Sequence, residues 1–286
     1  MPARAVVRTL VLALVLVLGL GSCATPGSST RSWTPETPAS DPSLTVRYSP
    51  GLTEDVYLPR RTGRVPLVVL VPGGSWTTSD PSGFAALAAD LAHSGVVAAT
   101  ARIRAAEDDV VYPAPVEDVL CAVAVAVQEA RSRGYVPDPV AVLGHSSGAH
   151  LAALAVLAYD DYAFGCRAPA VEPDALVGLS GPYDISRMPD VASALFDVGP
   201  DGAPEAWQNA NPVVRADRRP DVPVLLLHGV EDATVPVDFT TQFADALEAA
   251  GHPTTVDLVP GVDHLGIIRA DVAGDPVAEW LLSVAG

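Results

Sequence analysis

The sequence predicts an α/β domain, a mostly parallel central sheet with helices on both faces. Two observations carry this. Apolar runs rich in β-branched residues alternate along the chain with Ala/Leu-rich runs of helical character. One run, Val140-Ala141-Val142-Leu143, passes directly into Gly144-His145-Ser146-Ser147-Gly148 and then Ala149-His150-Leu151-Ala152-Ala153-Leu154. That order reads as a strand, a sharp turn and a helix.

In chain order, residues 66–71 read as a buried strand, 82–93 as an amphipathic helix and 95–100 as the next strand. A long helix covers 116–133; the strand 140–143 then leads into the turn at Ser146, and the helix behind it runs to about Ala158. Strands follow at 175–179 and 222–227, a helix at 236–250, a strand at 254–259 and a closing helix at 272–283. Residues 181–220 break the alternation with Pro182, Pro189, Pro200, Pro204 and Pro212, and Trp207 lies among them. They are placed as a small cap over the turn at Ser146. No internal repeat is present.

The first 22 residues read as a targeting segment, with Arg4 and Arg8 ahead of the apolar run 10–20. That run is too short for a permanent membrane span. It ends in Leu20-Gly21-Ser22-Cys23, which resembles the bacterial lipobox, in which the cysteine becomes the lipid-modified first residue. The expectation is an exported chain anchored to the outer face of the cell membrane through Cys23. An ordinary secretory signal with an incidental cysteine is the alternative. Residues 23–43, dense in Pro, Ser and Thr, read as a disordered tether. Residues 44–286 suffice for one domain with a large core.

Formal net charge is −17, and all 17 basic residues are arginine. The absence of lysine excludes Schiff-base chemistry, a Ser-Lys dyad and a P-loop. Without the first 22 residues, 15 arginines face 34 acidic residues, a net charge of −19. Such a surface repels phosphate backbones and argues against nucleic acid as a partner. Beyond Cys23 the cysteines are Cys121 and Cys166, without CxxC or zinc spacing. Export to an oxidising compartment favours a Cys121–Cys166 bridge, with two buried free thiols as the alternative.

Gly-x-Ser-x-Gly between strand and helix places Ser146 as a nucleophile in a strained turn. Side chains two residues before or after it would collide with backbone. Such a serine needs a base, a carboxylate to orient the base, and donors for an oxyanion. Of six histidines, His93 and His252 sit beside glycines at helix ends and read as surface capping residues. His145 and His150 are locked to the turn and its helix, facing wrongly for a base, and His228 reads as packing beneath a loop. His264, between the last strand and the last helix, remains as the base. The acid belongs on the loop after the preceding strand, where Asp232 follows Leu225-Leu226-Leu227-His228-Gly229-Val230-Glu231. Glu231 and Asp263 are its rivals. In Val71-Pro72-Gly73-Gly74-Ser75-Trp76, Gly73 and Gly74 let backbone approach an acyl oxygen. With the N–H of Ser147 they form the expected oxyanion hole, and Ser75 and Trp76 are expected to wall the substrate pocket.

Across nearly all of 44–286 the chain resembles carboxylesterases of the α/β-hydrolase superfamily related to hormone-sensitive lipase, feruloyl esterases and kynurenine formamidases. Pro72-Gly73-Gly74-Ser75-Trp76 resembles their His-Gly-Gly-x-Trp loop, and Tyr112-Pro113-Ala114-Pro115-Val116-Glu117-Asp118 resembles their Tyr-Pro-Ala-x-x-Glu-Asp region. Pro72 in place of histidine is the departure. The resemblance implies the α/β-hydrolase fold with a small cap. It also implies cleavage of small carboxylic esters through an acyl-enzyme on Ser146, with no metal or cofactor. A serine peptidase, or an amidase or arylformamidase, on the same fold is the second reading. A non-catalytic cell-surface binding module is the third.

Overall fold

Strands that are apolar on both faces must be covered on both faces, and the chain meets that demand with two separate cores. In order the elements are β1 (Leu44–Ser49), β2 (Leu52–Tyr57), β3 (Gly63–Val71), α1 (Ala85–His93), β4 (Val97–Ala101), α2 (Ala114–Ser132), β5 (Tyr135–His145), α3 (Ser147–Leu157), β6 (Ala175–Leu179), α4 (Pro189–Ala192), α5 (Pro204–Asn209), β7 (Val224–Gly229), α6 (Asp238–Ala250), β8 (Thr254–Val259) and α7 (Asp275–Val284). The computed structural model describes residues 41–162 and 165–285, all within the unit Pro38–Gly286. The expected leader, the expected lipidation site at Cys23 and most of the expected tether lie outside the described residues. Ser43, assigned to the tether, belongs to the domain: its N–H bonds Val56 O at 2.8 Å, and its hydroxyl accepts from Leu58 N at 3.0 Å.

The strand order is β1-β2-β4-β3-β5-β6-β7-β8. The pairs β1/β2 and β2/β4 are antiparallel, and the rest of the sheet is parallel. Along β3 the side chains alternate between cores, Leu67, Val69 and Val71 to one and Val68 and Leu70 to the other. The first core is closed by α2, α3 and α6, the second by α1 and α7. This is the α/β-hydrolase arrangement, and it brings the C-terminal ends of β5, β7 and β8 to one edge of the sheet.

Predicted strands 175–179 and 254–259 match β6 and β8 end for end. Others shift. β3 and β5 begin earlier than expected, at Gly63 and Tyr135, because their first residues pair with each other. The helix expected from residue 82 opens as a 3-10 turn, Pro81–Phe84, whose N–H at Ser82 is capped by Asp80. The closing helix starts at Asp275, after a π-helical turn over Ala270–Gly274. Cys121 and Cys166 form the expected disulfide, with Cα atoms 5.4 Å apart.

Among the described residues, one buried carboxylate breaks the apolar pattern with no hydrogen-bond partner. Glu54 on β2 is fully buried, and neither carboxyl oxygen has a hydrogen-bond partner. Burial, then the nearby Glu129, push its carboxyl well above the ordinary value, against the opposing charge of Arg167. A raised native value means the unfolded chain ionises first, so this group's contribution to stability falls as pH rises above the usual carboxylate range. Glu54→Gln should therefore gain in Tm over the native protein on going from about pH 5 to about pH 8. A Tm difference that stays constant across that range in calorimetry contradicts this reading.

Candidate active site

Two glycines shape the turn at Ser146, and sterics explain both. A Cβ at Gly144 would lie 2.1 Å from Gly148 O, and one at Gly148 would lie 2.3 Å from Val71 O. Between them Ser146 takes φ 52°, ψ −128°, a left-handed conformation that lifts its side chain off the end of β5. Its N–H is tied to Leu179 O on β6 at 2.9 Å.

The loops after β7 and β8 bring the other two groups. Asp232 Oδ1 accepts from Thr234 N and Val235 N, each at 2.8 Å, which presents Oδ2 to the second loop. There the His264 Nδ1–H donates to Oδ2 at 2.7 Å, and the Ser146 hydroxyl lies 3.0 Å from His264 Nε2. Burial raises the Asp232 carboxyl, but bonds from Val235 N–H, the His264 ring and Thr234 N–H outweigh it and leave it below the ordinary value. The carboxylate thus stays ionised beside the imidazole. Its rivals point elsewhere: Glu231 is exposed, and Asp263 accepts from Gly266 N at 2.7 Å.

The remaining histidines divide between expected and unexpected roles. His228 is buried as expected; its Nε2–H donates to Val235 O at 2.8 Å and lies 3.3 Å from Asp232 Oδ2. Thr240 Oγ1 donates to its Nδ1 at 2.7 Å. His252 is not a surface cap: it is buried, with its ring nitrogens 2.9 Å from Val222 O and 3.0 Å from Ala216 O. His93 is exposed at the end of α1.

A cavity of about 430 Å³ opens at Ser146 and His264, and Pro72, Gly73, Gly74 and Ser75 line it. Trp76 does not. It is buried, and its indole N–H donates to His150 Nδ1 at 3.2 Å, while His150 Nε2–H donates to Ala210 O at 2.7 Å. A polar indole edge finds a better partner in that buried ring, which burial holds neutral by pushing it down to about 4. Trp76 therefore anchors the Gly73-Gly74 loop rather than walling the pocket. Gly74, at φ 145°, accepts from Thr77 N and Thr78 N at 2.9 and 3.1 Å, which closes the loop's turn. Ser147 opens α3, so its N–H has no carbonyl one turn earlier within the helix.

The expected cap also needs correction. No residue of 181–220 lines this cavity. That segment instead sends Tyr183, Ile185, Leu195 and Trp207 into the core beside α2 and α3. The apolar wall comes from Phe84, Leu265 and Ile268, together with Gly83, whose added Cβ would touch Ile268 Cδ1 at 3.4 Å. Sequence reasoning missed this wall. Its one legible sign was that Leu265 and Ile268 follow His264 by one and four positions.

Residues 54–247 match the BD-FAE family. Esterase LipC of Mycobacterium tuberculosis is 30% identical over 218 residues, covering 71% of this chain and 53% of that protein. The probable carboxylic ester hydrolase LipM of the same organism is 29% identical over 242 residues, covering 78% and 55%. The chain thus spans about half the length of these curated relatives. Among solved structures, a truncated carbohydrate esterase from gut microbiota superposes with TM-score 0.69 at 20% identity, covering 81% of this chain and 90% of that one. A propionate-bound esterase, Est2 of Thermogutta terrifontis, superposes with TM-score 0.66 at 23% identity, covering 82% and 89%. With its family match spanning β2 to α6 and its serine, histidine and aspartate gathered at one sheet edge, the chain belongs to the BD-FAE family on an α/β-hydrolase fold.

Proposed function

We propose that this protein is a serine hydrolase that cleaves small carboxylic esters through an acyl-enzyme on Ser146. The observation that carries the proposal is the hydrogen-bonded series Ser146 Oγ, His264 and Asp232, at 3.0 and 2.7 Å, opening onto a cavity. The esterase names of the relatives LipC and LipM support the same reading. His264 takes the Ser146 proton as Oγ attacks the ester carbonyl, and Asp232 stabilises the imidazolium that forms. The N–H groups of Gly74 and Ser147 receive the oxyanion, with Gly73 clearing the space: a Cβ there would lie 2.9 Å from Ser146 Cβ. The imidazolium returns its proton to the leaving alcohol. Water, activated by the same histidine, then releases the acid.

Substrate size follows from the cavity. About 430 Å³ bounded by Phe84 and Ile268 accepts a short acyl or alkyl group, whereas a palmitoyl chain extends past the exposed Leu265 into water. Acetyl and butyryl p-nitrophenyl esters should exceed the palmitoyl ester in kcat/KM by at least about tenfold. The matched p-nitroanilides should be poor substrates. Equal activity on palmitoyl contradicts the size argument, and faster cleavage of the anilides transfers the protein to the amidase and peptidase reading.

The proposal extends to location, on the strength of Arg4, Arg8, the apolar run 10–20 and Leu20-Gly21-Ser22-Cys23. On this proposal the chain is exported and held at the outer face of the cell membrane by lipid on Cys23. The native protein should partition into detergent, and Cys23→Ser should release or misprocess it. A mature chain shown by mass spectrometry to begin well after Cys23 contradicts the anchor.

A further inference from the structure

We propose that His145, the residue before the nucleophile, is a positioning residue that joins the Gly73 loop to the His264 loop and holds the His264 ring in register with Ser146. The inference rests on the reading of Ser146 as nucleophile and His264 as base. The place of His145 in the turn prevents it from acting as the base. The fold gives it a different task.

Three contacts define that task. His145 Nε2 lies 2.8 Å from His264 O, and since a carbonyl only accepts, this nitrogen carries the proton. The two imidazoles pack at 4.7 Å between centroids, tilted by 44°. On the other side of the ring, a Cβ added at Gly73 would lie 3.1 Å from His145 Nδ1, so the ring sits directly on the oxyanion-loop glycine. One buried side chain therefore touches the loop that receives the oxyanion and the loop that carries the base, and itself lines the cavity.

The His264 loop needs such support. Its near end is tied at Val262, whose carbonyl accepts from Glu231 N at 3.0 Å, and its far end turns at Gly266 onto Asp263. Between these ties, Asp263 and Leu265 on either side of His264 are exposed, Leu265 by 68%. The carbonyl of His264 adds a tie between them, to a residue rigidly placed at the end of β5. Burial, and then the adjacent His264, push the His145 ring down to about 4, so the neutral form with its proton on Nε2 persists at neutral pH. A second imidazolium beside His264 would oppose the charge that the base acquires during attack.

The test compares His145→Gln, which keeps an N–H donor at similar reach, with His145→Leu, which keeps bulk and removes the donor. His145→Met replaces the leucine variant if that one does not fold. Steady-state kinetics on p-nitrophenyl butyrate are paired with Tm and with the rate at which a fluorophosphonate labels Ser146. The donor-less variant should lose about 10- to 100-fold in kcat and labelling rate with KM within about twofold, as expected for a misplaced base. The glutamine variant should recover to within about fivefold of native. Native labelling with equal rates in all variants overturns the positioning role alone, as does a folded glutamine variant that falls as far as the donor-less one. A native protein that is not labelled at Ser146 removes the underlying reading and this inference with it.

Discussion

Ser146→Ala is expected to lower kcat by on the order of 10⁶, the scale on which a serine hydrolase loses its covalent route, while Tm stays within about 3 °C. The asymmetry is structural. The Oγ atom makes one bond in the fold, to His264 Nε2, and the turn that presents it is built by backbone: the Gly144 and Gly148 approaches and the Ser146 N–H to Leu179 O. Alanine keeps all of these. A variant retaining more than about a tenth of native turnover on p-nitrophenyl butyrate would show that another group attacks the substrate.

Asp232→Asn is expected to cost about 10⁴ in kcat, again with a folded protein, by the same logic as the trypsin aspartate-to-asparagine change. The amide has one oxygen to place. Thr234 N and Val235 N both donate to the Oδ1 position, so the amide oxygen stays there and the NH₂ group turns toward His264 Nδ1. The imidazole then carries its proton on Nε2 and cannot accept one from Ser146. Asp263→Asn serves as the control, because its Oδ1 bond to Gly266 N shapes the loop without touching the ring. Steady-state kinetics on both variants decide the assignment: a crippled Asp263→Asn beside a mild Asp232→Asn would reverse it.

The reactive groups were legible in the sequence because their chemistry constrains the chain locally. A strand running into Gly144-His145-Ser146-Ser147-Gly148 has few structural solutions, and each following strand leaves its acid or base on the next loop. β8 was read end for end because Pro253 and Gly261 bracket its β-branched run. The β1–β2 hairpin was not read at all. Its second strand carries Glu54 and Asp55, and no local pattern announces that a carboxylate will be buried. Trp76 and the segment 181–220 were placed over the pocket because their positions after the glycine loop and after β6 suggested it. Side-chain direction is a tertiary property: the indole turned to His150, and the Pro-rich segment packed on the α2–α3 side. The wall that bounds the cavity joins Gly83 and Phe84 to Leu265 and Ile268, and Gly83 and Ile268 are 185 positions apart in numbering, a pairing that no sequence window can show.

The central claim is that one hydroxyl, Ser146 Oγ, is the attacking group, and it is tested most directly by mapping the covalent adduct. Purified protein treated with a fluorophosphonate, digested and sequenced by tandem mass spectrometry should carry a single stoichiometric adduct on the peptide containing Gly144-His145-Ser146-Ser147-Gly148, localised to Ser146, with esterase activity lost in proportion. Labelling localised to Ser147 or another residue, or full esterase activity in protein whose Ser146 is fully modified, would contradict it.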